Sequence, residues 1–111
     1  MDLNEYQDKT IETAIYPSMG GIYGISYCAL KLCGESGEVA DKIGKVIRDE
    51  NGCFTPDRKE ALKAELGDVL WYVAQLSIQL GYPLEEVAQA NLDKLASRKD
   101  RGVLGGSGDT R

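Results

Sequence analysis

Two short acidic segments hold the side chains of this sequence that could do chemistry. The first contains Glu35 and Glu38, and the second contains Glu65 and Asp68. On a helix, carboxylates three residues apart lie on one face, about 5–6 Å apart at Cβ, and repel each other unless a cation lies between them. Two such pairs on packed helices would bring four carboxylates into one cleft. That arrangement is typical of a site for a hard divalent cation such as Mg²⁺.

The first pair also has an ordinary explanation, because most acids on helices simply face solvent. Lys31 lies four residues before Glu35 and Lys42 lies four residues after Glu38, so both acids could form weak surface ion pairs. The second pair has no such partner on its own helix. Ala, Val and Tyr occupy the positions four residues to either side of its two acids. The second pair therefore argues more strongly for a bound cation.

Helical phase places both acidic pairs at the edge of a packing surface. An apolar stripe along the third predicted helix comprises Leu62, Leu66, Val69, Val73, Leu76 and Leu80. The stripe on the second predicted helix comprises Leu32, Val39, Ile43 and Val46. The acids lie on the shoulders of these stripes, where an uncompensated charge is costly. A metal ion would compensate that charge, so the pattern favours a metal site over a solvated face.

Composition excludes several other kinds of chemistry. The chain has 111 residues and a formal net charge of −5. It contains no histidine, which excludes nucleophiles activated by histidine and the usual zinc sites. Its three cysteines match no CxxC motif and are typical of reduced thiols. No basic patch is dense enough to indicate nucleic-acid binding. The N-terminus is polar and acidic, which is not typical of a signal peptide, and no apolar run is long enough to span a membrane. We expect a cytoplasmic protein whose partners include neither nucleic acid nor membrane.

Turn signals and periodicity predict four helices and no strand. The helices are expected at about 3–15, 25–48, 56–80 and 84–98. Thr55 is the expected N-cap of the third helix, with Pro56 at its first position, and Gly81 ends that helix. The fold class is therefore all-α, a four-helix, bundle-like domain over residues 1–100. A glycine-rich tail of residues 101–111 follows, and its composition predicts mobility.

The fourth helix offers cationic and amide side chains beside its apolar stripe. Asn91, Lys94 and Arg98 line the edge of that stripe, where they could bind a polyphosphate, although basic residues also suit a helix C-terminus. Leu30 and Trp71 lie off the stripes of the second and third helices, which predicts a homodimer or homotetramer. Trp71 is expected on the far side of its helix from the acids, as a core or interface anchor.

These residues together resemble those of the MazG-like all-α nucleoside triphosphate pyrophosphohydrolases. The family pattern is EExxE, then ExxD, then NxxKLxxR. The matching segments are Gly34-Glu35-Ser36-Gly37-Glu38, Glu65-Leu66-Gly67-Asp68 and Asn91-Leu92-Asp93-Lys94-Leu95-Ala96-Ser97-Arg98. The resemblance covers residues 27–98, and it is specific because three separate segments agree in order and spacing. The chain departs from the pattern at Gly34, where the family has its first Glu.

The resemblance implies hydrolysis of an NTP or dNTP between the α and β phosphates, with Mg²⁺ as cofactor, or Mn²⁺ in its place, and with two or four subunits completing each site. Because the sequence shows no protein nucleophile, we expect water to attack phosphorus. The expected metal ligands are Glu35, Glu38, Glu65 and Asp68, and either Glu35 or Glu38 is the expected general base. Substrate contacts are expected from Lys31, Lys45, Asn91, Lys94 and Arg98.

Two other functions fit the same residues. A phosphoribosyl-ATP pyrophosphohydrolase would share the acids and act on a different nucleotide. A helical dimerisation or regulatory module would keep the acids as surface or as a structural metal site. Pyrophosphate release from nucleotides separates both enzymes from the module.

Overall fold

The computed structural model describes all 111 residues and consists of four α-helices. The helices are α1 (Leu3–Thr10), α2 (Ile22–Glu50), α3 (Pro56–Leu80) and α4 (Leu84–Asp100), and a 3₁₀ turn at Ile11–Thr13 extends α1. No strand is present, so the all-α prediction is confirmed. None of the helices is both long enough and apolar enough to cross a lipid bilayer.

Local signals set the ends of α3 as predicted. The Thr55 side chain accepts a hydrogen bond from the backbone N–H of Arg58, and Pro56 is the first helical residue. Gly81 ends the helix in the left-handed region, at φ 84°, which glycine adopts without steric cost. These caps satisfy backbone groups that the helix ends would otherwise leave without partners.

The N-terminal helices differ from the prediction at their facing ends. The first helix ends at Thr10 and tightens into the 3₁₀ turn, because the Thr10 and Thr13 hydroxyls donate back to carbonyls three residues earlier. The second helix starts at Ile22, three residues before the expected position. Between them, residues 14–21 cross over α2 at Gly24, where an added Cβ would collide with the Ser18 carbonyl.

The helices α2 and α3 form a long antiparallel hairpin that carries most of the packing. Two ion pairs that cross from one helix to the other, Glu50–Arg58 and Lys42–Glu65, show the opposite directions of the chain. The shorter α1 packs on α3, and α4 packs on α1 and α3. The hairpin therefore contains both acidic segments, and α4 packs outside it on α1 and α3.

Buried amides tie α1 to the rest of the fold. The Gln7 side chain donates to the Ala74 and Tyr82 carbonyls, at 3.3 and 3.0 Å, and accepts from the Leu84 N–H at 2.9 Å. It thereby fixes the junction between α3 and α4. Because these groups are buried, losing one partner leaves another unsatisfied, at a cost of about 1–3 kcal/mol.

A second buried chain of hydrogen bonds holds the segment after α1. Gln75 donates to the Thr10 hydroxyl, the Tyr16 hydroxyl donates to Gln75, and Gln79 donates to the Tyr16 hydroxyl, each at 2.7 Å. All of these groups except Gln79 belong to buried residues. This network fixes Tyr16 against α3, close to the acidic segment.

The isolated chain leaves an unusually large surface in solvent. Only 11 of 111 residues are buried, and the accessible surface is 7616 Å². A monomer of 12.1 kDa would expose about 6,000 Å². The radius of gyration is 16.8 Å, whereas about 13 Å is usual for this length. Large apolar side chains on α2 and α4, such as Leu30 (73% exposed) and Leu92 (59% exposed), contribute to this surface.

The glycine-rich tail folds back instead of extending into solvent. The Arg111 guanidinium donates to the carbonyls of Val103, Leu104, Gly105 and Gly108, which closes residues 103–111 into a loop. Three tail glycines have positive φ, which favours glycine at these positions. The composition that predicts mobility thus also permits a tight loop.

Candidate metal centre

Three carboxylates converge between α2 and α3. Glu35 comes from α2, and Glu65 and Asp68 come from α3; one oxygen of each lies within 4.8 Å of the others. Oxygens that share one Mg²⁺ at about 2.1 Å lie about 3–4 Å apart, so small side-chain rotations bring these three into range. The donor set is all hard oxygen and therefore fits Mg²⁺ or Mn²⁺.

The fourth predicted ligand, Glu38, lies outside this group. Its side chain is exposed, and no oxygen of it lies within 4.8 Å of all three other carboxylates. Its charge nevertheless contributes, last among the causes, to raising the pKa of Glu35. Glu38 thus stands beside the cluster, one turn along α2, and its role as a ligand stays a prediction.

Burial and neighbouring charge act on the Glu35 carboxylate. Burial raises the pKa of Glu35 above its usual value, the Asp68 charge raises it further, and Lys31 opposes both. Lys31 is exposed and stands one turn before Glu35 on α2. The carboxylates therefore repel one another, as the sequence pattern predicts.

A cation from the other helix approaches the second acidic pair. The Lys42 ammonium lies 3.5 Å from an oxygen of Glu65, with 34% and 17% of the two side chains exposed. The sequence pairs Lys42 with Glu38 and leaves Glu65 without a partner, and the structure corrects this interpretation. Spacing along one helix could not reveal the contact, because the two residues belong to different helices.

An aromatic pocket adjoins the acids. A cavity of about 340 Å³ is lined by Thr13, Glu35, Asp68, Trp71 and Tyr72. The prediction that Trp71 lies on the far side of α3 from the acids is therefore wrong. Residues 68, 71 and 72 are separated by three and four positions, so they share one helix face. The same spacing rule, applied to Trp71, could have identified this wall of the pocket.

Contacts from the N-terminal segment fix the Trp71 ring. Its indole N–H donates to the Thr13 hydroxyl at 2.9 Å. Its ring meets Tyr72 edge-on at 4.8 Å and Tyr16 edge-on at 6.2 Å, and Tyr16 stacks on Tyr27 at 5.5 Å. Edge-to-face and stacked pairs of this kind are stabilising beyond their buried area. No spacing rule predicts that Thr13 reaches this pocket, because residues 13 and 71 belong to different elements.

The structure does not bring the predicted substrate-binding residues of α4 to the acids. Asn91 and Lys94 line a separate groove of about 530 Å³, together with Tyr82, Glu86, Val87 and Ala90. The helix α4 packs on α1 and α3, so within one chain these side chains lie apart from the α2 carboxylate. Their contact with a nucleotide at the acids stays a prediction.

The other predicted cations are engaged or exposed. Arg98 is buried, and its guanidinium donates to the Asp109 carbonyl at 2.8 Å, so the tail covers it. The expectation that Arg98 contacts the substrate stays a prediction, and such contact requires the tail to uncover this side chain. Lys45 forms an ion pair with Asp41 at 2.9 Å on the solvent side of α2.

The structure is thus an all-α domain whose long antiparallel hairpin joins carboxylates from two helices beside an aromatic pocket. The MazG nucleotide pyrophosphohydrolase domain model matches residues 25–103. The chain therefore belongs to the MazG nucleotide pyrophosphohydrolase domain family.

Two curated proteins resemble the chain. "Gene 37 protein" of Mycobacterium phage L5 is 52% identical over 114 residues, which covers 100% of both chains. "Uncharacterized protein YvdC" of Bacillus subtilis (strain 168) is 35% identical over 72 residues, which covers 60% of this chain and 68% of the relative. No solved structure matches the chain significantly. Neither name states an activity, so the functional inference rests on the family.

Proposed function

We propose that this protein is a Mg²⁺-dependent nucleoside triphosphate pyrophosphohydrolase. It would cleave an NTP or dNTP between the α and β phosphates, giving a nucleoside monophosphate and pyrophosphate. The observation that carries the proposal is the convergence of Glu35, Glu65 and Asp68 within 4.8 Å of one another, at the edge of the aromatic pocket. The family supports the reaction class, and the donor atoms support the metal.

The acids have two tasks in this proposal. The three converging carboxylates hold the metal, which when bound neutralises phosphate charge and acidifies water. The Glu38 carboxylate, which lies beside the cluster and outside it, takes the proton from the attacking water as general base. The water oxygen attacks the α phosphorus and pyrophosphate leaves.

The pocket has the chemistry to hold the nucleoside. Trp71 and Tyr72 form its aromatic wall, and the carboxylates of Glu35 and Asp68 also line it. Stacking of a base on an aromatic side chain contributes about 1–3 kcal/mol. Because the phosphates must lie at the metal, the sugar and base extend toward this wall.

A second copy of the chain completes the site in this proposal. The chain exposes about 1,600 Å² more than is usual for its mass, so a dimer that buried this excess on both copies would bury about 3,200 Å² in total, in the range of obligate interfaces. Pairing of the exposed apolar faces of α2 and α4 would bring Asn91 and Lys94 of one copy toward the acids of the other. Light scattering should give a homodimer or homotetramer; a particle of 12.1 kDa at micromolar concentration contradicts this assembly.

Nucleotide hydrolysis with identified products tests the reaction. A panel of NTPs and dNTPs, with phosphoribosyl-ATP included, is incubated with Mg²⁺ or Mn²⁺, and monophosphate and pyrophosphate are resolved by ³¹P NMR. The Glu38→Gln variant should lose at least about a hundredfold in rate, because a general base contributes about 10²–10⁴-fold. The Asp68→Asn variant should also lose activity, because it removes a ligand of the metal. Glu60→Gln is the matched control, because Glu60 lies on α3 and pairs with Lys63 in solvent.

The products also separate the alternatives. Turnover of phosphoribosyl-ATP alone assigns the phosphoribosyl-ATP reaction. If the wild-type protein and both variants release equally little pyrophosphate, the enzyme proposal fails and a helical dimerisation module remains. Equal rates in the wild type and in Asp68→Asn refute the assignment of the metal site.

A further inference from the structure

Lys42 places a positive charge at the acidic cluster. It lies on α2 two turns after Glu35, and its side chain crosses to α3, where the ammonium is 3.5 Å from the Glu65 carboxylate. The other ammonium groups of this part of α2 are elsewhere: Lys45 pairs with Asp41, and Lys31 is exposed beyond Glu35. Lys42 is therefore the cation that faces the α3 side of the cluster.

Charge counting shows what this cation does to the site. The three converging carboxylates carry −3 at neutral pH, and Glu38 beside them adds −1. Lys42 and Lys31 each offset one of these charges, which leaves −2 for one divalent ion to neutralise. The cluster is thus less negative than its acidic residues alone suggest.

We propose that the Lys42 ammonium is a resident cation, that is, a permanent positive charge supplied to the acidic cluster by the protein itself. It shares the Glu65 carboxylate with the divalent ion and limits the centre to one divalent ion per chain. This inference rests on the metal site of the proposed function. Lys42 acts as a positioning residue: it holds the Glu65 carboxylate toward α2 and offsets the repulsion within the cluster. Because like charges repel, the same ammonium also weakens binding of the divalent ion.

A purely structural ion pair leads to different expectations. A partly exposed pair of this kind contributes about 0–1 kcal/mol to stability, and that contribution would not depend on the metal. A resident cation stabilises the fold only while the cluster lacks its ion. Its removal should then tighten metal binding, and the loss of stability should disappear when the metal saturates the site.

Binding of Mn²⁺ alone, measured by electron paramagnetic resonance and calorimetry, tests the inference without any turnover. The wild-type protein should bind one Mn²⁺ per chain. Lys42→Met, which retains the aliphatic part of the side chain, should bind Mn²⁺ roughly tenfold more tightly, because a unit charge next to the ion is removed. Lys63→Met is the matched control, since Lys63 pairs with Glu60 in solvent on α3, and it should leave the affinity within about twofold.

The outcomes separate this inference from the proposed function. If Asp68→Asn abolishes Mn²⁺ binding while Lys42→Met binds as the wild type does, or more weakly, the role of Lys42 is refuted and the metal site stands. High-affinity binding of two Mn²⁺ ions per wild-type chain would likewise overturn the inference. If Asp68→Asn binds Mn²⁺ as the wild type does, the metal site itself is wrong. Thermal unfolding should show Lys42→Met less stable than the wild type in EDTA and equal to it in saturating Mn²⁺.

Discussion

Asp68→Asn should stabilise the fold in the absence of metal while removing the response to metal. The Asp68 carboxylate lies within 4.8 Å of the Glu35 and Glu65 carboxylates. Two unit charges at that distance repel by about 0.9 kcal/mol in water-like surroundings, and Lys42 offsets part of the repulsion at Glu65. Removing the Asp68 charge should therefore raise the free energy of unfolding by about 1–2 kcal/mol at low ionic strength.

Urea unfolding in EDTA and in Mg²⁺ measures both parts of this prediction. The wild-type protein should gain stability with Mg²⁺ concentration according to its affinity, whereas Asp68→Asn should gain none. The gain of Asp68→Asn in EDTA should also shrink in high salt, because the repulsion is screened. Asp93→Asn is the matched control: Asp93 is an exposed acid on α4 that accepts from Gln89, and the amide keeps an acceptor oxygen.

One result refutes the reasoning directly. If Asp68→Asn lowers the free energy of unfolding in EDTA, or leaves it equal to that of Asp93→Asn, the carboxylates do not repel one another in the folded protein. The argument for a cation at this place then loses its physical basis.

Three further predictions concern the parts of the fold that support the pocket. Gly24→Ala should destabilise the protein by about 1–3 kcal/mol, because the new Cβ meets the Ser18 carbonyl. Gly44→Ala should instead stabilise it by about 0.5–1 kcal/mol, because Gly44 lies inside a helix with open space around it. Urea titrations of the two variants and the wild type measure both effects. Burial raises the pKa of Tyr16 to about 12, so between pH 10 and 12 the unfolded chain loses a proton that the folded chain keeps. Burial raises the pKa of Tyr72 to about 12 as well, so the free energy of unfolding should fall by at least about 2 kcal/mol over that range, and a flat profile in urea titrations at pH 9.5 and 11.5 contradicts it. Arg111→Ala should open the tail loop, seen as faster amide hydrogen exchange in the tail with unchanged exchange in α2.

Local sequence signals predicted the helices, and three of the four carboxylates expected to share a metal do converge. Thr55, Pro56 and Gly81 act within one turn of the helix ends, so their effect does not depend on the rest of the fold. The carboxylates at positions 65 and 68 share a face by helix geometry alone. The predicted apolar stripe of α3 is less reliable, because Leu66 and Leu80 are 57% and 54% exposed.

The errors concern contacts between elements that are distant in sequence. The Lys42–Glu65 pair depends on the register of α2 against α3, which a 29-residue helix and its partner can adopt in several ways. Whether the Arg98 side chain is covered depends on the fold of the tail, which glycine composition leaves open. Thr13 reaches Trp71 only because the chain tightens after α1.

The 3₁₀ turn after α1 acts on the pocket from outside the family segment. It lies before residue 25, yet its Thr13 hydroxyl accepts from the Trp71 indole beside the acids. The three converging carboxylates, Trp71 and Tyr72 all lie within the family segment. The N-terminal segment therefore orients an aromatic side chain of the pocket without contributing any of the three carboxylates.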